Sequence, residues 1–352
     1  MTAAQPHAAG AARTVPVLIA SYLEPELVER IRAVPGVEVM YEPDLLAKPT
    51  YQGQHHGQPF SRGAQDEARW RALLARAEVL FDFDFTNLDR IPALAPRVRW
   101  IQASSAGIGE MLVRTRLIDS PIAFTTAAGV HASALAEFCV MGMLVFVKDL
   151  FRLKAEQAAH HWERYCAREV RGMTLGIIGL GSVGREVARM GHALGMRVIG
   201  TKRTIPPDGV PHVERVLPPD RTEEVVREAD VLVLIVPQTS GTRRLLGEQE
   251  LRSMKRGAIL VNIARGAIVD ERAMIAALHD GHLGGAVLDV FAKEPLPEDS
   301  TLWDLPNVIV SPHSASTVPG ENSRLTDLFC ENLRRYREDR PLLNLFDRER
   351  LY

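Results

Sequence analysis

An arginine, a glutamate and a histidine each stand just past an apolar run in the second half of the chain. Arg265 follows "GAILVNIA", Glu294 closes "GAVLDVFAKE" and His313 ends "NVIVSPH". A guanidinium presents a planar fork of donors suited to carboxylate and carbonyl oxygens. An imidazole gives or takes a proton near neutral pH, and a neighbouring carboxylate favours its charged form. Singly, each residue has a commoner role: a surface ion pair, a packed histidine, a glutamate ahead of a proline turn. Their order on three successive strand ends is what argues for chemistry. In a parallel sheet such ends open on one crevice, where ligands bind.

A second constellation lies upstream. Gly179, Gly181 and Gly184 form G-x-G-x-x-G in "GLGSVG". The motif alone is weak, but here it follows the apolar run "TLGIIGL" and opens the helical pattern "REVARMGHAL". That context predicts a dinucleotide pyrophosphate over a helix N-terminus. An NAD site expects an acidic residue about 20 positions on, for the ribose 2′-hydroxyl. The chain instead has Thr201, Lys202 and Arg203 in "RVIGTKRT". Two cations and no carboxylate suit a 2′-phosphate, so NADP is expected ahead of NAD.

These residues need a scaffold, and the apolar pattern supplies one. "VPVLIAS", "VEVMY", "EVLFDFDF", "RVRWIQASSAG" and "IAFTTAAG" read as strands, with helical spacing in "EPELVERIRAV" and "QDEARWRALLARA". A long helix is predicted from about Ser133 through "KDLFRLKAEQ". A second βα alternation follows, through "MRVIGT", "VLVLIVP", "GAILVNIA", "GGAVLDVF" and "NVIVSPH". Such alternation predicts parallel sheets. The 352 residues suffice for two domains.

Composition narrows the class. With 46% hydrophobic and 24% charged residues and a net charge of −2, nothing calls for nucleic acid or an anionic membrane. Cys139, Cys166 and Cys330 form no C-x-x-C pair and are expected as free or buried thiols in a reducing, cytoplasmic setting. Residues 1–14 lack an apolar signal core and are expected to form a mobile extension. "FCVMGMLVFV" is too short to span a bilayer. His55 and His56 lie in a polar loop expected to be solvated, and no third ligand at suitable spacing makes them a metal site. His160 and His161 are expected at the surface near a helix end, and His192 within a helix.

The motifs "GIIGLGSVG", "VNIARGAIVDE", "LDVFAKEPLP" and "SPHSA", in that order, resemble the D-isomer-specific 2-hydroxyacid dehydrogenase family. Trp162 matches a further recurrent position. The resemblance runs from "VRWIQASSAG" to "SPHSAS" and is less clear before it. It implies an α/β protein of two doubly wound parallel-sheet domains. A Rossmann cofactor domain (131–316) would be inserted in a flavodoxin-like substrate domain (1–130 and 317–352), with the active site in the cleft. It implies that Arg265 orients the substrate, that His313 is the general acid in reduction and that Glu294 is its partner. Formate dehydrogenases place Gln at the latter position, so Glu294 favours a 2-oxo acid. Asp289 would hold the nicotinamide carboxamide. Ser182, Val183, Pro237, Ile263 and Ala264 complete the implied cofactor contacts. The backbone N–H groups of Ala106 and Gly107 would cradle the substrate carboxylate.

The resemblance therefore implies hydride transfer between NADPH, or NADH, and a small 2-oxo acid, with glyoxylate, hydroxypyruvate and larger acids all open. A homodimer through "LAEFCVMGMLVFV" is implied as well. The chain departs from the family pattern after "SAG", where Gly109 and Glu110 follow Ile108. A dinucleotide-sensing corepressor-like protein or an inactive dehydrogenase homologue is the alternative.

Overall fold

The computed structural model describes residues 14–55 and 59–352. His56 and all but the last residue of the expected N-terminal extension lie outside them. The chain divides into two compact units, Met1–Val130 with Val318–Tyr352, and His131–Thr317.

The first unit carries a five-stranded parallel sheet. Its strands are β1 (Val15–Ile19), β2 (Val37–Met40), β3 (Val79–Phe81), β4 (Trp100–Gln102) and β5 (Ala123–Thr125), ordered β2-β1-β3-β4-β5. That is the flavodoxin-like winding. One face packs with Trp70, Leu74, Phe83 and Phe124, and the other with Trp100, Phe329 and Leu333. The terminal helix Glu321–Arg337 supplies the last two of these, which is why the chain returns to this unit.

The second unit carries seven parallel strands. They are β6 (Thr174–Ile178), β7 (Arg197–Thr201), β8 (Arg215–Leu217), β9 (Val231–Leu234), β10 (Ala258–Asn262), β11 (Leu283–Leu288) and β12 (Val308–Val310). Their order is β12-β11-β10-β9-β6-β7-β8. The winding reverses at β6, with β7 on one side and β9 on the other. This is the Rossmann switch point, where a dinucleotide finds a crevice beyond the strand ends. The continuous apolar runs of β6, β9 and β10 follow from burial on both faces.

Three local features differ from the sequence-based expectation. The long helix is two helices, Ala132–Val147 and Leu150–Ala158, because Asp149 between them adopts a left-handed φ of 56°. The strand read in "EVLFDFDF" stops at Phe81, since Asp82 is also left-handed, with φ 66°. Strand β8 had no sequence signal of its own: three residues without alternation are too few to stand out. Among the described residues, no helix is long and apolar enough to cross a membrane.

Candidate active site

The glycine turn forms as its residue types require. Gly179 takes φ 108°, which L side chains rarely adopt, directly after β6. Gly184 sits in the first turn of helix Ser182–Ala193, where a Cβ would overlap the Gly179 carbonyl oxygen. A Cβ on Gly181 would meet nothing within 4 Å, so the backbone there is open to an approaching group. Ser182 and Val183 are half-buried at the helix start. Open backbone at a helix N-terminus fits a pyrophosphate.

At the end of β7, Thr201 is buried and Arg203 exposed. The Lys202 ammonium donates to the Leu180 carbonyl oxygen at 2.9 Å, inside the glycine turn. Its pKa lies below the usual lysine value, first through burial and then through the nearby Arg185 charge. Arg185 had no motif to announce it; one helical turn past Gly181 puts it there. Beyond β9, Pro237 is exposed and its carbonyl accepts from Thr242 Oγ1 at 2.7 Å.

The loops after β10, β11 and β12 emerge at the same edge of the sheet. Neighbouring strands lie ~4.8 Å apart, so three consecutive ends span roughly 10 Å. Asn262, 2% exposed, shapes the first loop. Its Oδ1 accepts from Ala264 N–H and its Nδ2 donates to the Arg265 carbonyl, both at 3.1 Å. Ile263 and Ala264 are buried beneath it. Arg265 is half-buried and donates through Nη1 to the Ala264 carbonyl at 2.7 Å. A Cβ on the next residue, Gly266, would overlap the backbone C and O of Phe291. The β10 and β11 loops therefore touch backbone to backbone. Glu271 and Glu294 clamp the second loop by accepting from Ala292 N–H and Phe291 N–H, each at 3.0 Å.

Asp289, at the end of β11, is 2% exposed. One of its oxygens, Oδ1, accepts from Ser311 Oγ at 2.5 Å, Ser314 N–H at 2.8 Å and Ala315 N–H at 3.0 Å. Burial raises its carboxyl pKa, and these bonds oppose the rise. Those contacts wrap the loop that carries His313. The histidine takes a left-handed φ of 54°, uncommon for a residue with a Cβ and frequent at functional sites. Its Nδ1 lies 2.8 Å from Glu294 Oε2. With Nδ1 held by the carboxylate, Nε2 is left as the proton-transfer atom.

Residues 140–315 match the model of the D-isomer specific 2-hydroxyacid dehydrogenase NAD-binding domain. The chain belongs to the D-isomer specific 2-hydroxyacid dehydrogenase family. Such an enzyme is an NAD(P)-dependent oxidoreductase that exchanges hydride between a 2-hydroxy acid and a 2-oxo acid. The dehydrogenase is 34% identical to an (S)-sulfolactate dehydrogenase of Chromohalobacter salexigens, over 77% of this chain and 88% of that one. It is 36% identical to a glyoxylate reductase of Aeropyrum pernix, over 72% and 78% respectively. A D-isomer specific 2-hydroxyacid dehydrogenase of Xanthobacter autotrophicus Py2, solved with NADPH and MES, superposes with a TM-score of 0.76. That pair is 25% identical, covering 97% of this chain and 100% of the other.

The remaining candidates fall elsewhere. Ala106 and Gly107 are exposed at the tip after β4, and Gly107 N–H donates to Ser105 Oγ at 3.2 Å. His55 is not solvated as expected. It is 9% exposed, because the loop folds it against Ser21, Asp82 and Glu321. His160 and His161 are exposed, and His192 lies in the helix after the glycine turn. His161 with Glu156 and Glu163 could hold a cation among the described residues, but both glutamates also pair with Arg152. Cys139 and Cys330 are buried, Cys166 is exposed, and all three are free.

Proposed function

We propose that this dehydrogenase reduces small 2-oxo acids to D-2-hydroxy acids with a preference for NADPH. The 2.8 Å contact of His313 with Glu294 carries the reading. When bound, the nicotinamide supplies the hydride. The chain supplies the proton and the charge. Imidazolium Nε2 gives its proton to the carbonyl oxygen as the carbon is reduced, while Glu294 steadies the cation. Arg265 holds the carboxylate and polarises the carbonyl with its fork of donors. Ala106 and Gly107 N–H groups meet the substrate carboxylate, with Gly107 giving up its bond to Ser105. Asp289, Pro237, Ile263 and Ala264 bound the cofactor site, as Gly179, Gly181, Ser182, Val183 and Gly184 do at the pyrophosphate.

The cofactor preference rests on Lys202 and Arg203, with Arg185 beside them. A lysine partly desolvated next to another cation is in a state that an anion relieves. A ribose 2′-phosphate, with Thr201 nearby, is such an anion. Assayed with a panel of 2-oxo acids, the enzyme should use NADPH with the higher kcat/KM. The double substitution Lys202→Ala with Arg203→Ser should lower kcat/KM for NADPH about tenfold or more, and leave that for NADH nearly unchanged. A wild-type preference for NADH overturns the cofactor assignment.

We further propose a homodimer in the cytoplasm. Met141, Phe151 and Leu153 are each more than 40% exposed on the paired helices Ala132–Val147 and Leu150–Ala158, and Trp162 just beyond is 93% exposed. Exposed apolar side chains on one helix pair ask for cover, and a two-fold axis supplies the same surface twice. The free thiols support a reducing compartment. Light scattering should give the dimer mass, and a monomer at micromolar concentration would reject the assembly.

A further inference from the structure

Asp82 is a buried acid that the mechanism above does not use. It directly follows β3, is 1% exposed and holds a left-handed φ of 66°. Aspartate tolerates that conformation better than most residues, but it remains sparsely populated and tends to persist where something depends on it. Its N–H donates to Gln102 O at 2.7 Å, at the end of the neighbouring strand β4. Its Oδ1 accepts the N–H of Ser104, a long bond of 3.4 Å. Asp82 thus holds the base of the segment Ser104–Gly107, whose exposed tip carries the Ala106 and Gly107 N–H groups.

The other carboxylate oxygen, Oδ2, is buried without a hydrogen-bond donor among the described residues. It faces His55 Nδ1 at 3.9 Å, an ion-pair distance. Ser21 Oγ approaches the same Nδ1 at 3.5 Å, and Glu321 Oε1 lies 3.9 Å from Nε2. Serine and aspartate on one nitrogen cannot relay a proton through the ring, so the group is not a hydrolytic triad. What it can do is balance charge. An ionised carboxylate this deeply buried needs a cation near it. Burial pushes the Glu321 carboxyl up to about 7, against the opposing charge of Arg324. Asp82 is the second acid against the ring. A cavity of about 390 Å³ lined by Ala20, Ser21, His55, Phe60, Arg62 and Phe85 adjoins the ring.

We propose that Asp82, charge-paired with His55, is a positioning residue that fixes the substrate-carboxylate segment Ser104–Gly107. The proposal rests on Ala106 and Gly107 being the carboxylate donors. His55 Nδ1, 3.9 Å from Oδ2, holds the carboxylate with Oδ1 turned to Ser104 N–H. Without either side chain the segment loses its anchor at Ser104.

The test is a double-mutant cycle on the full chain with glyoxylate and hydroxypyruvate as substrates. Asp82→Asn keeps the shape, tolerates the left-handed backbone and removes the charge; His55→Gln removes the cation. Each should raise KM about tenfold near pH 6.5, with kcat within about twofold and cofactor affinity unchanged. The double variant should lie no further from wild type than either single one. Additive effects, an unmoved KM, or kcat falling in step with thermal stability would each overturn the positioning role while leaving the dehydrogenase intact. A wild-type chain that reduces no 2-oxo acid overturns both.

Discussion

His313→Ala should lower kcat for 2-oxo acid reduction by about 10²–10⁴-fold, the usual contribution of a positioned general acid. That corresponds to roughly 3–5 kcal/mol of transition-state stabilisation. Fold and cofactor binding should survive, because the imidazole is 46% exposed and is held at its side chain by Glu294. The discriminating measurement is single-turnover reduction beside NADPH affinity measured by fluorescence. Retention of wild-type kcat would remove His313 from the chemistry; loss of cofactor affinity in equal proportion would make it a binding residue. Glu294→Gln should cost less. Its amide oxygen can still accept from Nδ1, and what disappears is the charge that steadies the imidazolium. The same substitution also tests the loop, since Glu294 Oε1 accepts from Phe291 N–H. An amide has one acceptor oxygen, so a glutamine that keeps the contact with His313 Nδ1 turns its NH2 toward Phe291 N–H; the substitution removes the charge and that loop bond together, and the loss of folded stability reads the second part.

Much of the candidate site is legible in the sequence, for a definite reason. Apolar runs ending in Arg265, Glu294 and His313 report both the strands and the edge they end on, because a parallel sheet puts every carboxyl end on one side. The glycine spacing reports a turn that only residues without a Cβ can make, as Gly179 and Gly184 demonstrate. What the sequence hid is the set of side chains that act on other side chains. Asn262 looks like one polar residue in a strand, yet it holds the backbone on both sides of the Arg265 peptide. Asp289 gathers three donors from a loop more than twenty positions away. His55 reads as a loop residue because its neighbours are polar; the partners that bury it come from just past β1, just past β3 and the start of the last helix, and sequence distance conceals them. The break at Asp149 was hidden too, since an apolar run through a left-handed residue looks the same as one through a helix.

Gly266→Ala carries the second large effect, and it separates geometry from chemistry. The substitution adds one methyl group and removes no functional atom. Yet that methyl would overlap the carbonyl of Phe291, and backbone cannot swing aside as a flexible side chain can. The β10 loop must move away from the β11 loop. Arg265 sits directly before the glycine, and Glu294 three residues past the carbonyl. Relief of the overlap therefore displaces the guanidinium from the histidine's partner, by an amount on the order of 1 Å. A misplacement of that size costs about 10²-fold in rate when catalysis depends on orientation. Stability should fall as well, by about 1–3 kcal/mol, as for other forced insertions into packed structure. Gly63→Ala is the control: its Cβ meets nothing within 4 Å, and its φ of −62° suits any residue. Thermal unfolding and kcat/KM measured on both variants decide the matter. A Gly266→Ala enzyme as active as Gly63→Ala would mean that the two loops need no fixed spacing, and that Arg265 and Glu294 work independently. A drop in kcat/KM that exceeds the loss of folded protein would show that backbone contact between neighbouring loops sets the distance from guanidinium to imidazole, a constraint that no polar residue in the site encodes.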